Sequence, residues 1–252
     1  MKKLFYLPLA LLYFLTNSLI AQEVSPFNKL AVDFNIGANK PFEQFVPGHR
    51  TPTFGFVHFD IGARYMFNDK FGLKADFGYD NISSASESKE FNNFLLRGTI
   101  QGVVNLRNTF NMHEFSDKLG LLFHGGIGAA SLRNEDSDGF FNYRNNRAAE
   151  MLTFVFGFTP QYKVNDNLSI NLDWSMYNNF YQGRTFDMTG KTQGRGFDGN
   201  MATLTVGISY FFGKASKSSD WYVKNAAVDN SRIEDLNKRL QNAEKRIKEL
   251  NN

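Results

Sequence analysis

Few residues in this 252-residue chain have both the type and the spacing that chemistry demands. On an extended backbone His58 and Asp60 share one face, and His124 faces the same interior from another segment. Two imidazoles and a carboxylate are zinc-type ligands. No third ligand follows at close spacing, so the expectation is hydrogen-bonded interior histidines and no metal. Asn134, Asp136, Asp138 and Gly139 imitate positions 1, 3, 5 and 6 of a calcium loop, but the twelfth position is Asn145 rather than the bidentate Glu. A solvated acidic loop is the simpler reading. Ser131 and Ser175 lie near strand ends, yet no His-Ser-acid spacing accompanies them. Gly126-Ile127-Gly128 is half of a dinucleotide fingerprint with no helix after it, and reads as strand. Cysteine is absent, which excludes disulfides, thiol catalysis, thiolate metal sites and a lipoprotein anchor. The expectation is therefore no enzyme, no catalytic residue and no cofactor.

What remains is a balanced set of charges, Asp33, Asp60, Asp76 and Asp173 against Arg64, Lys74, Arg97 and Lys163, with Lys118 near a strand start tipping the count. Their meaning depends on the elements that carry them. The stretch Gly55 to Asn81 shows the pattern best. Val57, Phe59, Ile61, Ala63, Tyr65 and Phe67 alternate with His58, Asp60, Gly62, Arg64 and Met66. After the turn Asn68-Asp69-Lys70, Phe71, Leu73, Ala75, Phe77 and Tyr79 alternate with Gly72, Lys74, Asp76, Gly78 and Asp80. A period of two predicts strands, and turn residues between two such runs predict a hairpin. Each arm exceeds the usual soluble strand of about five to six residues and suits the ~9–11 tilted residues that cross a bilayer. One face is apolar and aromatic and the other carries charge and glycine, as in a barrel with lipid outside and a polar lumen.

The same alternation recurs over Leu30–Ile36, Phe94–Leu106, Leu119–Ala129, Leu152–Lys163, Leu168–Met176 and Leu204–Phe212, which makes eight strands. Long polar connections (Ala38–Thr53, Asp80–Asn92, Arg133–Ala149, Asn178–Gly199) alternate with short ones (Asn68–Lys70, Val164–Asn167). Arg107–Asp117 departs from the rule: it should be a tight turn but is longer and holds Phe110, Met112, His113 and Phe115. Phe 27 with a mean hydropathy of −0.37 suits a barrel, in which alternation dilutes the apolar residues. A net charge of +3 provides no broad basic footprint for nucleic acid. Met1 to Ala21 has a basic start, an apolar middle and a polar break, the form of a cleaved secretory signal, with a retained anchor as the alternative. An eight-strand soluble barrel or sandwich is the runner-up. It would leave too much apolar surface in water.

These stretches resemble the membrane domain of the outer membrane protein A (OmpA) family. FGLKADFGYDN, LGLLFHGGIG and YFFGK followed by DWYVK look like that family's third strand, fifth strand and barrel exit, and the likeness runs from about Val32 to Lys224. The resemblance implies an all-β transmembrane fold, an eight-stranded antiparallel up-and-down barrel. Family members commonly continue into a peptidoglycan-binding domain. This chain ends at Asn252 without one, and no residue here inherits that role.

Eight strands enclose a lumen just wide enough for side chains to fill. Unpaired buried charges there cost several kcal/mol, so the eight charges are expected to pair and plug it; an ion path along them is the competing reading. The domain plan is a signal peptide over 1–21, a barrel over 22–213, a linker over 214–230 and an amphipathic helix over 231–252, the last reaching the periplasm. Ile233, Leu236, Leu240, Ala243, Ile247 and Leu250 form an a/d seam of three heptads, entered through a capping box at Ser231 and Glu234. The expected partners are outer-membrane lipid and, through this seam, a second copy or a periplasmic protein. Three roles stay open: structural anchor, small passive pore, and surface adhesin using the long loops.

Overall fold

A computed structural model describes residues 25–134, 148–193, 196–223, 235 and 237–241. Eight strands follow in order: β1 (Leu30–Glu43), β2 (Gly55–Met66), β3 (Phe71–Ser83), β4 (Asn92–Asn105), β5 (Leu119–Asn134), β6 (Ala148–Lys163), β7 (Leu168–Phe180) and β8 (Phe197–Phe212). Each pairs antiparallel with its neighbours in sequence, and β1 pairs with β8 to close the barrel.

Burial is inverted relative to a water-soluble domain. Ile100 is 65% exposed on the outside while Arg64, inside, is 1% exposed. The outward positions stay apolar for five or six residues per strand, for example Phe71, Leu73, Ala75, Phe77 and Tyr79 on β3. They then turn polar at Asn81, Ser131, Glu150, Asn178 and Asn200. That apolar height matches the ~9–11 residues a bilayer requires. The strands themselves are longer, 12 to 16 residues, and continue into stretches that sequence patterning assigns to loops.

The short connections carry their own turn chemistry. Asn68 Oδ1 accepts the N–H groups of Lys70 and Phe71, both at 2.8 Å, and Asn165 Oδ1 accepts that of Asn167 at 2.9 Å. The atypical link after β4 folds as α1 (Leu106–Thr109), capped by Asn105, followed by a 3-10 turn over Met112–Glu114. Arg107 ties it down, its Nε donating to Leu119 O at 3.0 Å.

The long-loop end of the lumen is apolar, not polar as the sequence suggests. Leu95, Leu132, Met151, Tyr177 and Met201 point inward from the strand extensions, and Phe91, Phe186 and Met188 join them from the loops. These side chains form one buried cluster, with Phe45 against it. The loops that supply it are bonded to one another: Phe186 N donates to Gln44 O at 2.9 Å and Asn93 Nδ2 to Phe186 O at 2.8 Å.

The expected linker over 214–230 also needs correction. Residues up to Tyr222 belong to the barrel unit, and residues 223–252 form a second unit. Ser218, Ser219, Asp220 and Trp221 are buried. In the second unit residue 235 and residues 237–241 are helical, and Arg239 Nε lies 3.0 Å from Asp235. Leu240 of the predicted seam is 60% exposed. Ile233, Leu236, Ala243, Ile247 and Leu250, the capping box and the segment 1–21 lie outside the described residues.

Candidate functional site

The site is the lumen. Alternation turns every second strand residue inward, and inward glycines clear space for the longer side chains between them. A Cβ at Gly157 would stand 2.7 Å from two ring atoms of His124, and one at Gly62 would stand 1.9 Å from Asp76 Oδ1. Glycine at these positions lets charged groups lie across a narrow interior.

The charges form two linked groups. In the first, Arg64 Nη1 lies 2.7 Å from both carboxylate oxygens of Asp220, and its Nε donates to Asp33 at 3.3 Å. Lys74 Nζ sits 3.1 Å from Asp76 and 3.9 Å from Asp33. Gln101 Nε2 donates to Asp76 at 2.7 Å, and its Oε1 meets His124 Nδ1 at 2.6 Å. The other nitrogen of His124 meets Asp173 at 2.9 Å, where Thr159 and Ser175 also donate, each at 2.6 Å. In the second group Arg97 bonds Asp80, and its guanidinium carbon lies 3.9 Å from the centre of the Tyr177 ring. His58 Nδ1 meets Asp80 at 2.7 Å and its Nε2 meets Asp60 at 3.0 Å. Asp60 also accepts from Asn35 at 2.6 Å. Both nitrogens of each histidine are engaged in hydrogen bonds, so neither ring offers a free lone pair to a metal.

Of the eight charges expected in the lumen, the structure brings together Asp33, Asp60, Arg64, Lys74, Asp76, Arg97 and Asp173. Lys163 stands apart at the short-turn end, paired with Asp166 at 2.6 Å and partly exposed. Two further carboxylates join the lumen charges: Asp80, which the alternation places on the inward face without showing its partner, and Asp220, which no strand pattern marks. Asp80 continues the parity of Asp76 and Gly78, but the apolar alternation that marks the strand stops at Tyr79. Asp220 lies beyond the last strand, and its only sequence signal is an acid next to the aromatic pair Trp221-Tyr222 in a Lys/Ser-rich stretch. With Asp80 and Asp220 included and Lys163 outside, carboxylates outnumber the fixed cations of the lumen. His58 has a carboxylate oxygen within hydrogen-bond distance of each ring nitrogen.

Asp220 is one part of a cork that fills the short-turn mouth. Asn28 N donates to Lys217 O at 2.9 Å, and Asn28 Oδ1 accepts from Ala215 N at 2.9 Å. Asn105 Nδ2 donates to Asp220 O at 3.1 Å and Asn108 Nδ2 to Tyr222 O at 2.9 Å. The Trp221 ring meets Phe211 edge-on at 5.9 Å, and Tyr222 meets Phe27 at 5.0 Å. Between cork and apolar cap, the cavity bounded by Lys74, Gln161, Asn171 and Asp173 measures about 10 Å³, the space of roughly one water.

Outside the barrel, Asp187 organises the loop cap. Burial acts to raise its pKa. The Thr185 hydroxyl and the Val46 and Thr189 N–H groups outweigh burial and hold the carboxyl below its ordinary value. His49 Nδ1 lies 3.6 Å away.

Similar folds occur among solved outer-membrane proteins. Neisserial surface protein A is 15% identical over 76% of this chain and 100% of its own, with a TM-score of 0.46. Ail of Yersinia pestis in a phospholipid nanodisc is 15% identical over 73% and 99%, with a TM-score of 0.41. The N-terminal barrel of Pseudomonas aeruginosa OprF is 13% identical over 73% and 99%, with a TM-score of 0.36. No curated protein matches the chain. The profile of the outer membrane protein beta-barrel domain family matches residues 9–221, and with most of its length inside that match the chain belongs to this family of bacterial outer-membrane barrels.

Proposed function

We propose that this outer-membrane barrel is a closed anchor of the cell envelope rather than a pore. Its long-loop end faces outward, and its tail lies in the periplasm, where it meets a second copy or a periplasmic protein. The observation that carries this reading is the filling of the lumen at three levels: the apolar cluster around Phe186, the charge layer around Lys74 and Asp76, and the cork at Asp220 and Trp221. A permeating ion would have to displace buried ion pairs that lack exposed replacements, at a cost of several kcal/mol each. Planar-bilayer recording of the purified full-length protein tests it. The expected trace has no steady steps, and sustained selective conductance overturns the reading.

A second reading has one observation in its favour. Phe54 and Phe56 pair at 6.2 Å near the long-loop end, and Phe56 is 81% exposed. Exposed aromatics of this kind mark contact surfaces, which supports a surface-contact role for the loops. Replacing both with Ser and measuring cell-surface binding separates this role from the anchor, since insertion is expected to survive.

A further inference from the structure

The link between β4 and β5 carries two large apolar side chains into the open: Phe110 is 68% exposed and Phe115 90%. A tight turn would close the same gap without them. Their direction follows from α1. Ile100, Gly102 and Val104 take the outward positions of β4, and Leu106 takes the next one. The two residues after it face the lumen mouth and are buried. Arg107 Nε donates to Leu119 O, and Asn108 Nδ2 lies 2.9 Å from both Asp69 O and Tyr222 O. Phe110, whose N–H bonds Leu106 O at 2.9 Å, is four residues on and returns to the face of Leu106. It stands about 6 Å further along the helix, just past the end of the apolar wall.

Phe115 lies where the link returns to that wall. Ser116 Oγ accepts from the N–H groups of Lys118 and Leu119, both at 3.2 Å, and Leu119 opens the outward row of β5. Lys70 and Lys118, at the feet of β3 and β5, are exposed on either side of the link. We propose that this link is a foot resting in the periplasmic leaflet, with Phe110 and Phe115 at the boundary between phospholipid headgroups and acyl chains. The occupant is lipid because the face continues, through Val104 and Leu106, a wall that lipid already covers. The flanking ammonium groups suit a phosphate surface, and the depth matches the ~5–10 Å to which interfacial apolar faces sink.

The inference rests on the short-turn end facing the periplasm and not on whether the lumen conducts. Because the chain lacks cysteine, single-Cys variants carry one nitroxide label each. Full-length Phe110→Cys and Phe115→Cys are placed in vesicles of phosphatidylethanolamine and phosphatidylglycerol, with folding checked by mobility on unheated gels. Ile127→Cys on the outer wall is the lipid-facing standard, and Asp166→Cys in the β6–β7 turn is the water-facing one. Both foot labels are expected to show an oxygen-to-nickel collision ratio several-fold above that of Asp166→Cys and below that of Ile127→Cys. A ratio equal to that of Asp166→Cys at either position overturns the proposal and leaves the rings to a periplasmic protein. Phe115→Trp keeps a ring and serves where a Cys variant fails to fold. Phospholipid brominated high on its acyl chains should quench the emission it adds, and unquenched emission overturns the proposal. Lys217→Cys, beside the cork, should resist an impermeant maleimide on intact cells. Labelling there would reverse the barrel in the membrane, a failure distinct from a water-facing foot.

Discussion

Arg64 on β2 and Asp220, 156 positions later, share one guanidinium nitrogen that lies 2.7 Å from both carboxylate oxygens, with each side chain 1% exposed. This contact pins the chain after β8 into the mouth of its own barrel. Asp220→Ala leaves Arg64 with Asp33 alone. It is expected to destabilise the fold by about 3–5 kcal/mol, less where water enters the mouth. The paired replacement Arg64→Met with Asp220→Leu should recover most of that loss. Urea unfolding in detergent, followed by gel mobility, measures both; an unchanged midpoint for Asp220→Ala argues against the cork.

Arg97 combines an ion pair with Asp80 and a ring contact with Tyr177, and the two separate by mutation. Arg97→Ala strands Asp80 in a buried site and should cost about 3–5 kcal/mol. Tyr177→Phe retains the ring face and should cost under about 1 kcal/mol, whereas Tyr177→Leu should cost about 1–2 kcal/mol more than that. The same unfolding assay reads all three. A Tyr177→Phe loss as large as that of Arg97→Ala would mean that the hydroxyl, not the ring, matters.

On the proposed closed-lumen reading, the apolar cap and the cork each help to close the barrel. Phe186→Ala removes a fully buried ring and should cost about 3–5 kcal/mol, with faster hydrogen exchange around Gln44 and Phe186. Bilayers should stay silent for this variant, for Asp220→Ala and for the two combined, because the charge layer around Lys74 and Asp76 remains. Steady current from either single variant would show that one closure alone holds the lumen.

Asp187 ties the loop cap to pH. Its folded pKa is depressed, so its contribution is fully present above the unfolded value of about 4. That contribution is lost as pH falls through the folded value, which places the window below about pH 4. Protease cleavage of the loops should rise on acidification from pH 5 to pH 3 in the wild type. In Asp187→Asn, cleavage should already be high at pH 7 and change little. A wild type equally resistant at pH 3 and pH 7 removes Asp187 from this role.

Leu240 is exposed on a helix, and the chain is free of cysteine. Leu240→Cys should therefore give a disulfide-linked dimer in intact cells if the tails pair in parallel. Leu236→Glu with Leu240→Glu should remove a crosslink to another protein if the seam serves a partner. If neither crosslink forms and deletion after Val228 leaves the envelope intact, the tail makes no contact.

The sequence by itself determined the number of strands, their order and the side of the wall each residue takes. All three follow from a local rule, alternation along an extended backbone. It also determined most of the lumen charges, because an inward position on an alternating strand stays inward in any closed register. It could not extend the strands past their apolar stretch. Above that boundary Asn81, Ser131 and Glu150 face outward without being apolar, so the pattern fades while hydrogen-bonded pairing continues. At that boundary Asp80 shows its inward parity but not its partner Arg97. Only the tertiary structure decided what closes the two mouths. Phe45, Phe91 and Phe186 sit in loops with no period to mark them, and they meet because three loops bond to one another above the lumen. Asp220 finds Arg64 because barrel closure brings β8 beside β1 and turns the following residues back toward β2. Contacts across such sequence distances leave no trace in spacing, since the chain between them sets only that they can meet, and the packing of the closed barrel sets that they do.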